Sequence, residues 1–227
     1  MFIQKRKFKN SKGLTLSAIY EGEDKNAPVV VMCHGYQSSK DKETTKALSQ
    51  KLIEGGLNVF RFDFTGHGQS QGDLADITPL RGVDDLASAV DDLDALGKTK
   101  FGLYGSSFGG NVALLYTSQN PVLALALKAP VSDYSQTAKI IDRPHFLDEL
   151  KLINLYKKVK NIKCPVLIVH GDKDDVVPIK QSKKLLDSLQ CDKQLEIIKG
   201  AGHDIAGDDL KKAYSQIANF FQQTLTK

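Results

Sequence analysis

A short apolar run that leads into the sequence GSSFG constrains this chain more than any other feature. Residues 101–104 predict a buried strand, residues 105–109 follow in the pattern Gly-x-Ser-x-Gly, and residues 108–116 predict a helix. Glycines two residues either side of Ser107 permit a sharp, strained turn that presents its hydroxyl. The first free N–H groups of the helix point at the same place. The sequence therefore predicts a strand, a tight turn and a helix, with Ser107 as a candidate nucleophile.

A serine hydroxyl is a poor nucleophile at neutral pH, so it needs a base that a carboxylate orients. Residues 164–171 predict a buried strand that runs into a polar turn with Asp174, and residues 195–198 predict a strand followed by His203. All three side chains would follow parallel strands, where ligands bind in open α/β sheets. Asp172 and Asp175 compete with Asp174 for the orienting role. The chain order is Ser, Asp, His.

Apolar runs alternate with helix-period stretches along the whole chain, which is typical of an α/β fold with helices on both faces of a mostly parallel sheet. Residues 5–9 and 14–20 predict an antiparallel opening hairpin. Further strands are predicted at 29–33, 57–62 and 123–128, and helices at 44–54, 83–93 and 210–221. The fold class is therefore α/β.

Two further motifs make the chain resemble the serine aminopeptidase, monoacylglycerol lipase and cinnamoyl esterase group of α/β-hydrolases. Residues 29–36 (VVVMCHGY) resemble the strand and oxyanion loop of that family, and residues 61–70 (RFDFTGHGQS) resemble its F-D-x-x-G-H-G-x-S turn. The resemblance covers nearly the whole chain. It implies an α/β-hydrolase fold, Asp174 as the acidic member of the triad, and an oxyanion hole formed by the backbone N–H groups of Tyr36 and Phe108.

Several other polar residues near these motifs are read as structural. The resemblance makes His67 a turn residue, and His34 and His170, which end strands, are read as orienting or packing histidines. Cys33 is read as a small buried apolar residue. No His-x-x-x-His pair or Cys pair occurs at metal-ligand spacing, so we expect no metal. We also expect no cofactor, because a serine, a histidine and an aspartate suffice for the chemistry.

Residues 131–164 are where the resembled family inserts a cap, and here the segment is short. It allows one or two helices, such as 146–156, which would form either a small lid or a helix packed on the sheet. We expect His145, Phe146 and Leu150 to be candidates for substrate contact. The length suits one domain over residues 1–227 with this small cap.

Composition limits the location and the partners. The net charge of +4 is mild and its basic and acidic residues are interleaved, so nothing predicts a nucleic-acid partner. No apolar run approaches the roughly 20 residues of a membrane span. Three cysteines without framework spacing suit a reducing compartment, so we expect a cytoplasmic protein. A homodimer stays open.

These features predict a serine carboxylesterase that acts on short-chain or small carboxylic esters through a covalent acyl-enzyme, with Ser107, His203 and Asp174 as its triad. The same machinery can hydrolyse monoacylglycerols, thioesters or N-terminal amides, because fold and triad do not choose the leaving group. A non-catalytic binding protein that keeps the fold is the alternative from another class.

Overall fold

The computed structural model describes residues 1–137 and 144–226, without the side chains of residues 144 and 145. Over these residues eight strands form one sheet in the order β1-β2-β4-β3-β5-β6-β7-β8. They are β1 (Phe2–Lys9), β2 (Thr15–Gly22), β3 (Val29–Cys33), β4 (Asn58–Phe62), β5 (Phe101–Ser106), β6 (Ala124–Lys128), β7 (Val166–Gly171) and β8 (Lys193–Ile198). The β1-β2 and β2-β4 pairs are antiparallel and all the others are parallel. The predicted α/β class and opening hairpin are confirmed.

Seven α-helices occur in the described residues, with single 3₁₀ turns at Leu74–Asp76, Tyr134–Gln136 and Val159–Asn161. The helices are α1 (Glu43–Glu54), α2 (Pro79–Asp94), α3 (Phe108–Thr117), α4 (Pro144–Leu152), α5 (Leu155–Lys158), α6 (Lys180–Ser188) and α7 (Gly207–Leu225). None of these helices is both long enough and apolar enough to cross a membrane.

The parallel strands are apolar on both faces because helices cover both faces. In β3, Val29, Val31 and Cys33 belong to one buried cluster, and Val30 and Met32 belong to the other. Side chains of α2, α3 and α6 complete the first cluster, whereas α1 and α7 complete the second. We call these the α3 face and the α7 face. This division decides which helices border each cavity near the candidate site.

Strand register brings the functional loops to one edge of the sheet. Cys33 at the end of β3 is opposite Gly105 of β5, and Ser106 of β5 is opposite Lys128 at the end of β6. Gly171 and Ile198, the last residues of β7 and β8, are also paired. The turns that follow these strands therefore meet at the carboxyl edge, as the sequence predicts for ligand-binding loops.

The segment predicted as a cap, residues 131–164, contains α4 and α5 in its described part, and both pack on the α3 face. The sequence allows one or two helices here, such as 146–156, and the structure has two. Asn154 separates them, because its side chain accepts a hydrogen bond of 3.0 Å from the N–H of Lys157 and so caps α5. A lid function for this segment, and a single domain over 1–227, stay predictions.

Candidate active site

Ser107 lies at the apex of the turn between β5 and α3, with φ 53° and ψ −115°. Such a backbone conformation is strained for a residue with a side chain. Glycines make the turn sterically feasible. A Cβ on Gly105 would lie 2.5 Å from the carbonyl oxygen of Gly109, and a Cβ on Gly109 would overlap the carbonyl oxygens of Cys33 and His34. The Gly-x-Ser-x-Gly pattern is thus explained by close backbone approach on both sides of Ser107.

The structure brings Ser107, His203 and Asp174 together in one hydrogen-bonded chain. Ser107 Oγ lies 3.1 Å from His203 Nε2, and His203 Nδ1 lies 2.7 Å from Asp174 Oδ2. The Asp174 side chain is fully buried, whereas the His203 side chain is 18% exposed. The geometry lets the imidazole accept the Ser107 proton while the carboxylate holds the opposite nitrogen. The flanking Asp172 bonds the Gly200 N–H instead, at 2.6 Å.

Asp174 is held by four hydrogen-bond donors. Its Oδ1 accepts from the N–H groups of Val176 and Val177, at 3.0 and 2.7 Å, and its Oδ2 faces His170 as well as His203. Burial alone would raise the pKa of Asp174, but the bonds from His170, His203 and Val177 outweigh it and hold that pKa well below its usual range. Asp174 is therefore an anion at neutral pH.

His170 is an orienting histidine in this structure. Its Nε2 lies 3.1 Å from Asp174 Oδ2 and 2.8 Å from the carbonyl oxygen of Val177, two acceptors that require a proton on Nε2. Its Nδ1 lies 2.6 Å from the Ser182 hydroxyl. The sequence indicates an orienting or packing role here, and the structure adds the partner, Asp174, four residues later in the chain.

Two buried histidines hold the loop that follows β3. Burial and the neighbouring His67 lower the pKa of His34 to about 4, so its ring is neutral and its Nδ1 donates to the carbonyl oxygen of Gly35, at 2.8 Å. His67 Nε2 accepts from the N–H of Gln37, at 3.2 Å. Gln37 itself has a positive φ of 54°. The loop is therefore fixed on both sides of Tyr36.

This loop approaches the nucleophile closely. A Cβ built on Gly35 would lie 3.5 Å from Ser107 Cβ, and the rings of Tyr36 and Phe108 are 6.4 Å apart. Phe108 is the first residue of α3, and the first N–H groups of a helix lack intrahelical acceptors. The structure thus places Tyr36 and Phe108 on the two segments that border Ser107, and their role as oxyanion donors stays a prediction.

A cavity of about 560 Å³ opens beside Ser107 and His203. Its walls come from the loop after β3, the carboxyl ends of β5 and β6, the His203 loop, and the first turns of α1 and α7. It therefore extends over the α7 face. No described residue between 131 and 164 lines it. A second cavity, of about 670 Å³, lies on the α3 face beside α4 and has neither Ser107 nor His203 in its wall.

The three residues expected to contact substrate have different outcomes. Phe146 is 1% exposed and packs edge-on against Tyr134, with 4.9 Å between ring centroids, so it is a core residue and does not line the Ser107 cavity. Leu150 lines the second cavity. The side chain of His145 lies outside the described residues. Among the residues described, no group of three or more side chains could hold a metal ion.

Comparison with known proteins places the chain in a family. The sequence model described as "Serine aminopeptidase, S33" matches residues 24–152 and 146–209, which together cover most of the chain. The chain belongs to the serine aminopeptidase S33 family. The resemblance predicted from the sequence is therefore confirmed at the level of the family.

Its relatives are distant, and several of them are longer. An uncharacterized protein of Mycobacterium tuberculosis is 25% identical over 185 residues, which cover 79% of this chain and 64% of that protein. A lysophosphatidylserine lipase of Danio rerio is 28% identical over 192 residues, which cover 74% of this chain and 49% of that protein. The chain thus spans less than two thirds of the length of these relatives.

Solved structures confirm the α/β-hydrolase fold. Est1E of Butyrivibrio proteoclasticus, solved with bound ferulic acid, superposes with a TM-score of 0.87. It is 21% identical, and the match covers 98% of this chain and all of that one. At this identity the likeness supports the fold and leaves the substrate open.

Proposed function

We propose that this chain is a serine carboxylesterase that forms a covalent acyl-enzyme. The observation that carries the proposal is the hydrogen-bonded chain from Ser107 through His203 to Asp174, built on a strained turn. Its two distances, 3.1 and 2.7 Å, are those of a nucleophile within reach of its base and of a base held by a carboxylate. The ferulic acid bound in the Est1E structure and the lysophosphatidylserine lipase among the relatives are consistent with ester substrates.

In the first half of the reaction, Ser107 Oγ attacks the ester carbonyl while His203 Nε2 takes its proton. The negative charge that develops on the carbonyl oxygen faces the backbone N–H groups of Tyr36 and Phe108. In other enzymes, removal of one such donor lowers kcat by about 10²–10³. His203 returns the proton to the departing alcohol. Asp174 stabilises the imidazolium meanwhile.

In the second half, a water molecule attacks the acyl group on Ser107, and His203 takes a proton from it. Collapse of the second tetrahedral intermediate releases the carboxylic acid and returns the proton to Ser107. No step needs a cofactor. The Ser107 cavity, of about 560 Å³ and bordered by polar side chains, supports small or short-chain acyl groups of about two to six carbons, since each methylene left in water forgoes about 0.8 kcal/mol.

We also propose a cellular location and a partner. Cys33, Cys164 and Cys191 are all unpaired thiols, which supports a reducing, cytoplasmic location. A small-molecule ester is the proposed partner.

The proposal is tested with pure protein on a panel of p-nitrophenyl esters, monoacylglycerols, thioesters and aminoacyl amides, with Ser107→Ala as the matched control. We expect ester turnover with the highest kcat/KM at short acyl chains. Turnover confined to amides or thioesters would replace the carboxylesterase assignment, and turnover of nothing on the panel would favour a binding protein.

A further inference from the structure

The Ser107 cavity contains a buried cation that the proposed reaction does not use. Lys128, the last residue of β6, lines the cavity and is only 9% exposed. Its Nζ donates to the carbonyl oxygen of His203, at 3.2 Å. An ammonium has three donors. In the described part of the chain this Nζ has no salt bridge, and the His203 carbonyl oxygen is its one hydrogen-bond partner.

The backbone of Lys128 is hydrogen-bonded to the backbone of the nucleophile, Ser107. Its carbonyl oxygen accepts the N–H of Ser107, at 2.9 Å. The Lys128 side chain also contacts the carbonyl oxygen of His203, whose ring bonds Ser107, so a group bound at Lys128 is close to an ester whose carbonyl carbon is at Ser107. The two sites belong to one continuous cavity, which Ser107 and Lys128 both line.

The other charges at the wall of the cavity are one lysine, one carboxylate and the partial charges of two helix N-termini. Lys42 lines its outer part and is the N-cap residue of α1. Ala206 is the N-cap residue of α7 and also lines it. Neither helix has a side-chain cap, so two helix N-termini, which carry partial positive charge, begin at the wall. Asp204 is the one carboxylate in the wall among the described residues.

The acidic residues in the first turns of α1 and α7 do not change the balance of charge at the cavity wall. Glu43 of α1 and Asp208 and Asp209 of α7 are exposed and do not line the wall. The wall thus has two lysines against one carboxylate, together with two uncapped helix ends. Such a combination is the usual recognition chemistry for carboxylate and phosphate groups.

We propose that this cavity binds an oxyanion carried by the substrate, a carboxylate or a phosphate on one half of the ester, with Lys128 as its principal partner. The proposal rests on the proposed function only for the statement that the bound molecule is an ester. Lys128 is then a specificity-determining residue, because a neutral ester of the same shape gains nothing from it.

The protonation of Lys128 is consistent with this role. Burial lowers the pKa of Lys128, and Lys42 lowers it further, while Asp204 and Asp174 act in the opposite direction. An oxyanion bound against the ammonium would favour its charged form. A negative group bound there would offset the cost of burying the ammonium.

Binding is measured first, because it needs no turnover. The Ser107→Ala protein is mixed with phenyl hemisuccinate or with phenyl butyrate, a neutral ester of similar size, and the melting temperature is followed. A second pair, 4-acetoxyphenyl phosphate and phenyl acetate, tests phosphate on the alcohol half. We expect a larger shift with the anionic member of at least one pair, and we expect the difference to disappear in Ser107→Ala/Lys128→Met.

Kinetics supply the second readout in the protein that keeps Ser107. The measured quantity is the ratio of kcat/KM for the anionic ester to kcat/KM for its neutral counterpart. Hydrogen bonds to charged groups are stronger than those between neutral groups, so Lys128→Met should lower this ratio by about tenfold or more, and tenfold corresponds to about 1.4 kcal/mol. A lysine that only supports the His203 loop would lower both rates and leave the ratio unchanged.

Lys42→Glu covers the case in which Lys128→Met does not fold, because Lys42 is exposed and its replacement leaves the core intact. It should lower the same ratio through charge reversal. Lys51→Met, on α1 but outside the cavity wall, is the matched control and should leave the ratio as it is.

The outcomes separate the two proposals. Preferential anion binding by Ser107→Ala without ester turnover by the unmodified protein would support the oxyanion site and refute the carboxylesterase assignment. Ester turnover with equal ratios in the unmodified, Lys128→Met and Lys42→Glu proteins would refute the oxyanion site alone. A preference within the hemisuccinate pair would place a carboxylate on the acyl half of the ester, and a preference within the phosphate pair would place a phosphate on the alcohol half.

Discussion

The substitution Asp174→Asn exchanges the charged partner of His203 for a neutral one of the same shape. In the structure, Asp174 Oδ1 accepts two backbone N–H groups, from Val176 and Val177. The amide oxygen of asparagine must stay at this position, because an NH₂ group there would face two donors. The NH₂ group is then directed at His203 Nδ1 and His170 Nε2, where the carboxylate accepts in the native protein.

This arrangement predicts the size of the effect. His203 can bond to the NH₂ group only by accepting at Nδ1, which moves its proton to Nε2, the nitrogen 3.1 Å from Ser107 Oγ. In that tautomer the imidazole cannot take the serine proton. The equivalent change in serine proteases lowers kcat about 10⁴-fold, which corresponds to about 5 kcal/mol of transition-state stabilisation. We expect a loss of this order here.

The assay compares kcat on a short-chain p-nitrophenyl ester for Asp174→Asn, Asp172→Asn and Asp175→Asn, with the melting temperature of each as the folding control. Asp172→Asn should be mild because asparagine still accepts the Gly200 N–H, and Asp175 is exposed. Retention of more than about a tenth of kcat by a folded Asp174→Asn protein would refute the tautomer argument. An equal loss at either neighbour would mean that the wrong aspartate has been assigned.

Three further predictions concern packing and pH. Phe146→Ala, a deletion from the core, should cost about 3 kcal/mol or more and lower the melting temperature by about 10 °C, whereas a changed acyl preference at unchanged melting temperature would place Phe146 in the substrate site. Gly109→Ala should yield little folded protein, because its new Cβ overlaps the carbonyl oxygen of Cys33, and a normal melting temperature would contradict the close approach. The pKa of His34 is about 4 in the folded protein, below its ordinary value of 6.5. Between pH 6.5 and pH 4 the unfolded chain therefore binds more protons than the folded protein, and the folded protein loses stability as the pH falls through this range. His34→Gln should flatten the decline of melting temperature over that range, and an unchanged slope would refute the assignment.

The strands, the turn and the three side chains that the structure joins by hydrogen bonds were predictable because each has a local signal in the sequence. Glycines mark the Ser107 turn, and polar residues that follow apolar strands mark Asp174 and His203. The two histidines around Tyr36 could be identified as structural from their motifs, but their partners, the Gly35 carbonyl and the Gln37 N–H, depend on how two loops meet.

The position of the cavity could not be predicted from the sequence. The cap segment suggested a pocket that includes Phe146, but the cavity at Ser107 extends to the opposite face, between α1 and α7. Its cations, Lys42 and Lys128, are far apart in the chain and carry no shared motif. Only the strand order, which puts β6 next to β5 and α1 next to α7, brings them together.

The identity of the nucleophile is tested most directly by labelling with a fluorophosphonate and mapping the modified peptide by mass spectrometry. We predict a single adduct on Ser107 that is absent in Ser107→Ala and retained in Ser106→Ala, since Ser106 is the last residue of β5 and, of these two serines, only Ser107 bonds His203. An adduct on any other residue, or labelling and ester turnover that survive in Ser107→Ala, would contradict the proposed mechanism.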